Sequence, residues 1–193
     1  MKRWLTVAAL ALVSGCGTPA RLDYYTLSAP QTPAAPVPAA SRPLNIYVGP
    51  VTLPEAVDRP QMVRRIDANQ VEVAELERWA EPLKTAIPRL VAETLMRELA
   101  TATAMTSRQS AGLDFDYRVA IDVQRFDFSA AEGAAIDALW TIRGPQGAPR
   151  VGRSEARAAA GSRDAQAMAA AHSRALEKVA SDIAAAVRSL ERR

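Results

Sequence analysis

The chain has 193 residues, 49% of them hydrophobic, with 24 Lys and Arg against 21 Asp and Glu, one His and one Cys. A lone cysteine excludes an internal disulfide and a lone histidine excludes a His/Cys zinc site, so no metal or other cofactor is expected. The near balance of charge argues against nucleic acid, whose binders carry a concentrated basic patch.

In chain order, Lys2 and Arg3 give a positive start, and Trp4 to Val13 follow with only Thr6 polar. That is a signal-peptide hydrophobic region, too short for a spanning helix, which needs about 20 apolar residues. Ser14 and Gly15 directly before Cys16 resemble the bacterial lipobox, in which a diacylglyceryl thioether forms on the cysteine before cleavage in front of it. The resemblance implies a signal peptide over 1–15 and lipidation of Cys16 by chains such as palmitate, on its sulfur and its new amino group. The mature chain loses Lys2 and Arg3, and its formal charge falls from +3 to +1. Acyl burial contributes roughly 0.8 kcal/mol per CH₂, so two chains already anchor stably. Gly17 stands where Asp signals inner-membrane retention in enteric bacteria, which implies the periplasmic leaflet of the outer membrane.

Residues 16–43 read as a lipid-anchored N-terminal segment. Six of the thirteen prolines lie between Pro19 and Pro43, and the loop 29–43 is Pro-rich, extended and unpacked. Tyr24-Tyr25-Thr26-Leu27 interrupt it with aromatic and β-branched residues that predict a short edge strand over 24–27.

The main body spans 44–193. Leu44, Ile46 and Val48 alternate with Asn45 and Tyr47, which predicts a strand over 44–51. Met62 to Ile66 and Gln70 to Trp79 read as a hairpin about the turn-forming Asp67-Ala68-Asn69. Pro82 suits a first helical position, and Leu83, Ile87, Leu90, Val91, Leu95 and Leu99 predict an amphipathic helix from 82 to 103. Pro88 removes a donor inside it, so a kink or a separate first turn is expected.

Tyr117, Val119, Ile121 and Val123 predict a strand. Phe126 and Phe128 fall in the opposite phase, which a β-bulge near Gln124-Arg125 would reconcile. Strands over Ile136 to Ile142 and 150–158, joined across Gly144-Pro145-Gln146-Gly147, complete an antiparallel meander. Ser162 is the expected cap of a long final helix, with Asp164 near its positive end. Met168, His172, Leu176, Val179, Ile183, Val187 and Leu190 form its apolar face. The fold class is a single α/β domain, a mixed and largely antiparallel sheet packed with two main helices as a three-layer α/β sandwich.

Catalytic patterns are weak. Asp114, Asp116, Asp122 and Asp127 suggest paired carboxylates, but the first three share parity with Arg118 and Gln124, as a solvated strand face does. Gly152-Arg153-Ser154-Glu155-Ala156 matches a nucleophile elbow only in part, with no helix after it, and His172 belongs to an apolar helix face. The reading is of a protein that is not an enzyme.

Leu53-Pro54-Glu55-Ala56-Val57-Asp58-Arg59-Pro60-Gln61-Met62-Val63 and Arg78-Trp79-Ala80-Glu81-Pro82-Leu83, together with Tyr24 to Leu27 and the lipobox, resemble the PqiC family of ABC-type transport auxiliary lipoproteins. Pro88 departs from the family pattern, in which the helix after the Trp-Ala-x-Pro-Leu motif is uninterrupted. The resemblance implies a three-layer α/β domain that accompanies an MCE-domain periplasmic protein and its ABC permease and ATPase in lipid transport between the two membranes. It leaves a homo-oligomer open, and a structural or assembly lipoprotein is the alternative. Trp79, Pro82, Tyr24 and Tyr25 are candidates for partner contact or for fixing the strand-to-helix turn.

Overall fold

The computed structural model of the chain describes residues 21–29, 43–100, 102–106, 114–145 and 147–192. The expected signal peptide, Cys16 and the proline run of 30–42 lie outside them. In order the elements are β1 (Asp23–Tyr25), β2 (Leu44–Thr52), β3 (Gln61–Arg65), β4 (Val71–Trp79), α1 (Leu83–Leu99), β5 (Ala102–Thr106), β6 (Tyr117–Ser129), β7 (Gly133–Arg143), β8 (Arg150–Ala158) and α2 (Ala165–Glu191).

Alternation in β6 sets the architecture. Tyr117, Val119, Ile121 and Val123 are buried on one face, and the pairing with β7 shifts register between Val123 and Arg125, which returns Phe126 and Phe128 to that face. Around β6 runs a five-stranded sheet of order β5-β2-β6-β7-β8. Its β5-β2 and β2-β6 pairs are parallel, while β6-β7 and β7-β8 form the expected antiparallel meander. Both helices cover its apolar face, α1 over β2 and β5, α2 over β7 and β8. Buried alanines at 165, 169, 171, 175, 180, 184 and 186 line the inward side of α2 and let its axis approach the sheet closely.

The second sheet has the order β1-β4-β3. Pairing of β2 with β6 ends at Thr52 and Asp122, and β3 lies against the distal half of β6 that β2 leaves bare. Arg65 Nε donates to Asp127 Oδ2 there at 2.8 Å. Burial alone would raise the Asp127 pKa, but hydrogen bonds and charge from Arg65 and Arg125 outweigh it and hold the carboxyl below its ordinary range. The small sheet thus closes one end of a shared core, and the chain is a single α/β domain with two helices and mixed sheets arranged as a sandwich.

Three details depart from expectation. The first helix ends at Leu99, not 103, because Ala100 adopts φ 48°, and residues 102–106 form the unexpected strand β5 beside β2. Pro88 does not set off a separate first turn; α1 is continuous from Leu83 to Leu99. Only the donor to the Lys84 carbonyl is lost, on an exposed residue that water reaches, while the proline ring itself is buried. Asp164, not Ser162, caps α2: Asp164 Oδ1 accepts from Ala167 N at 2.7 Å, and the Ser162 hydroxyl donates to Asp164 Oδ2 at 2.5 Å.

Gly152 on β8 is required by a close approach. The Trp140 ring lies over it, with Nε1 donating to Ser154 Oγ at 3.0 Å, and a Cβ at 152 would overlap the ring. Gly152→Ala is expected to cost about 1–3 kcal/mol by overpacking. Urea denaturation measures it, and a loss below about 0.5 kcal/mol, the scale of ordinary surface substitutions, would mean the indole moves aside freely.

Candidate functional site

The two stretches that carried the family resemblance, 53–63 and 78–83, are distant in sequence but meet at one place. Trp79 N donates to the Pro60 carbonyl at 2.7 Å, and Lys84 Nζ donates to Asp58 Oδ2 at 2.6 Å. Between them Asp58, Arg59, Pro60, Trp79, Ala80, Glu81, Pro82 and Leu83 line a groove of about 400 Å³. Its rim presents exposed Arg59, Pro60 and Pro82, and its floor is Trp79 and Leu83, both buried.

Trp79 ends β4 with its ring turned into the core, edge-on to Phe126 at 6.2 Å and to His172 at 5.8 Å. Pro82 is the N-cap residue of α1, and its carbonyl accepts from Thr85 N at 2.8 Å and Ala86 N at 3.0 Å. It has no N–H to leave unsatisfied there. Tyr24 and Tyr25 pair in parallel with Arg78 and Trp79, and Ala80 N donates to the Tyr25 carbonyl at 2.8 Å. β1 therefore spans Asp23–Tyr25 where a strand over 24–27 was expected, and Leu27 follows it into the core. Tyr25 packs against the core while Tyr24 faces solvent. Cys16 lies outside the described residues.

Arg89 joins these parts and was not singled out by sequence. Its guanidinium donates to Glu81 Oε1 at 2.6 Å, to Glu93 Oε1 at 3.0 Å and to the Leu27 carbonyl at 2.8 Å. One side chain thus ties the groove's Glu81 to the N-terminal segment, and Ser28 N, donating to Ser173 Oγ at 3.2 Å, adds a tie to α2. The candidate carboxylates do not converge: Asp114 and Asp122 are exposed, Asp116 accepts from Asn45 N at 2.8 Å, and Asp127 is held by two arginines. Ser154 is buried and engaged by Trp140.

The profile of the family described as "ABC-type transport auxiliary lipoprotein component" matches residues 25–184, from β1 into α2. The chain belongs to this family. No curated protein matches it. Among solved structures, the crystal structure of an uncharacterized protein superposes with a TM-score of 0.72 at 16% identity, covering 86% of this chain and 99% of that one. Protein XCC0632 from Xanthomonas campestris superposes with a TM-score of 0.64 at 20% identity, covering 84% and 92%. At these identities the likeness establishes the fold. The family is one of auxiliary lipoproteins of ABC-type transport, and the groove gathers both of the stretches by which this chain resembles it.

Proposed function

We propose that this protein is a PqiC-type accessory lipoprotein of the outer membrane, acylated at Cys16, that docks the periplasmic conduit of an MCE-type ABC lipid transport system. The observation that carries the reading is the groove between Asp58–Pro60 and Trp79–Leu83, which the family's two stretches build together. A rim of proline and arginine over an apolar floor suits contact with protein, since interfaces are enriched in aromatic residues and Arg. The carboxylates that also line the groove are already paired, Asp58 with Lys84 and Glu81 with Arg89. Tyr24 and Tyr25 position the strand that leads from the anchor to this groove, and Trp79 with Pro82 shape it. The groove binds its partner, and the transporter's ATPase supplies the work.

A photo-crosslinking residue at position 59 in intact cells tests this. It should capture an MCE-domain protein that the same probe at Val151, exposed on β8, does not, and Cys16→Ala should abolish the capture. Recovery of peptidoglycan-associated proteins alone would replace this reading with a structural or assembly role.

A further inference from the structure

Eight large hydrophobic side chains among the described residues are more than a third exposed, and five of them, Leu22, Tyr24, Ile66, Val71 and Leu76, lie on the three-stranded sheet or next to its strands. The larger five-stranded sheet carries two, Leu139 and Val151. The apolar outer surface is thus concentrated on the smaller sheet. Leu22, Tyr24 and Leu76 are neighbours: β1 pairs with β4 as Asp23 with Glu77, so the register carried one residue back sets Leu22 beside Leu76, with Tyr24 beside Arg78. Val71 lies farther along β4, paired with Arg65 at the hairpin end, whereas Ile66, the residue after Arg65, falls by alternation on the other side of the strand.

We infer that this face of the small sheet rests on the lipid leaflet. The inference depends on acylation of Cys16, the reading given above, and goes beyond it by assigning the surface that touches the membrane. Six residue steps separate Cys16 from Leu22, at most about 20 Å at 3.3 Å per residue. A domain of this size has a radius of gyration of about 15 Å, so a tether this short holds the sheet it enters, and not the far side of the molecule, against the bilayer. Tyr24, 59% exposed, has the apolar body and polar tip that sit well at a headgroup boundary. Charges of both signs border the patch, Arg21 and Arg78 beside Leu22 and Tyr24 and Glu72 and Glu75 on β4, so the contact with lipid rests on the apolar side chains and not on a net attraction to anionic headgroups. The groove opens beside this face, its Trp79 one residue past the Tyr24–Arg78 pair and its rim on Asp58, Arg59, Pro60 and Pro82, so a partner seated there stands close to the leaflet.

Because Cys16 is the only cysteine and carries the lipid, Leu76→Cys, Tyr24→Cys and Val151→Cys each offer one free thiol for a nitroxide label. In the acylated, full-length mature protein on vesicles of phosphatidylethanolamine and phosphatidylglycerol, labels at 76 and 24 should gain oxygen accessibility and lose accessibility to a water-soluble nickel complex, while 151 does not change. The same depth is expected on neutral phosphatidylcholine. An acylated, vesicle-bound protein whose labels at 76 and 24 stay as water-accessible as 151 overturns the inference and leaves the anchor intact. Label-to-label distances showing two copies joined through this face overturn it in favour of a dimer, and a chain found without acyl groups removes both readings. Should Leu76→Cys fail to fold, Tyr24→Cys gives the same measurement.

Discussion

Trp79→Ala should lose about 3–5 kcal/mol of folding stability, the range for deleting a buried indole. The ring is buried, and it meets Phe126 of β6 and His172 of α2 edge-on, so its removal opens a cavity where small sheet, large sheet and helix converge. Most domains are stable by only about 5–15 kcal/mol, and such a loss would be a large part of the whole. Trp79→Phe keeps an aromatic edge and should cost roughly half as much or less. Chemical denaturation of both variants decides between the two roles expected for this residue. A Trp79→Ala chain nearly as stable as wild type yet unable to crosslink its partner would make the indole a contact and not a structural post.

The second large effect is a dependence on pH set by one residue. His172 is fully buried, stacked on Phe126 at 4.1 Å, with Nδ1 3.0 Å from the Met168 carbonyl. A carbonyl only accepts, so the neutral ring carries its proton on Nδ1, and Nε2 is left buried without a hydrogen-bond partner. A second proton would put a charge into the core, which a hydrogen bond from the charged ring to the Asp127 backbone only partly offsets. Burial therefore pushes the pKa down to about 4 from 6.5, although the Met168 carbonyl and the Asp127 carboxylate pull the other way. Between these values the unfolded chain binds the proton and the folded chain does not. The stability is complete above pH 6.5, falls as the pH drops towards 4, and below that loses nothing more from this group. The full span is about 3 kcal/mol, and about 2 kcal/mol of it is gone between pH 7 and 5. No other histidine is present, and Glu177, the carboxyl whose pKa burial raises, acts in the opposite sense and gains stability as the pH falls, so a loss of stability from pH 6.5 to 5 belongs to His172. His172→Leu should flatten it. An unchanged slope in that variant would assign the effect elsewhere.

Wherever an apolar face is read against a period, sequence was enough. The bulge in β6 followed from Phe126 and Phe128 changing phase, β8 was expected over 150–158, and His172 on the inward stripe of α2 was buried as its spacing required. β5 was missed because Ala102-Thr103-Ala104-Met105-Thr106 continues an alanine-rich helix without Gly or Pro to end it. The break is made by Ala100 at positive φ, which no residue type announces. The capping role of Asp164 was displaced onto Ser162 because both residues are favoured caps and only geometry chooses between them. At the candidate site, the two stretches were recognisable separately, but their meeting was not, since it rests on a main-chain bond between Pro60 and Trp79. Arg89 was silent for a related reason: it sits in the polar phase of a helix, and one of its acceptors, the Leu27 carbonyl, lies 62 residues away.

The parallel pairing of β1 with β4 also fixes how the molecule carries load. In the assembly proposed above, an anchor at Cys16 would pull on β1 from its first residue and a partner in the groove on β4 from its last, so tension would run along the strands. Strands loaded lengthwise in this way slide only if all the hydrogen bonds between them yield together, whereas strands pulled apart sideways unzip one bond at a time. The bond from Arg89 to the Leu27 carbonyl and that from Ser28 N to Ser173 Oγ grip the chain just beyond β1 and resist the same slide. On that proposal, a three-residue strand would be the mechanical coupling between a lipid and a machine.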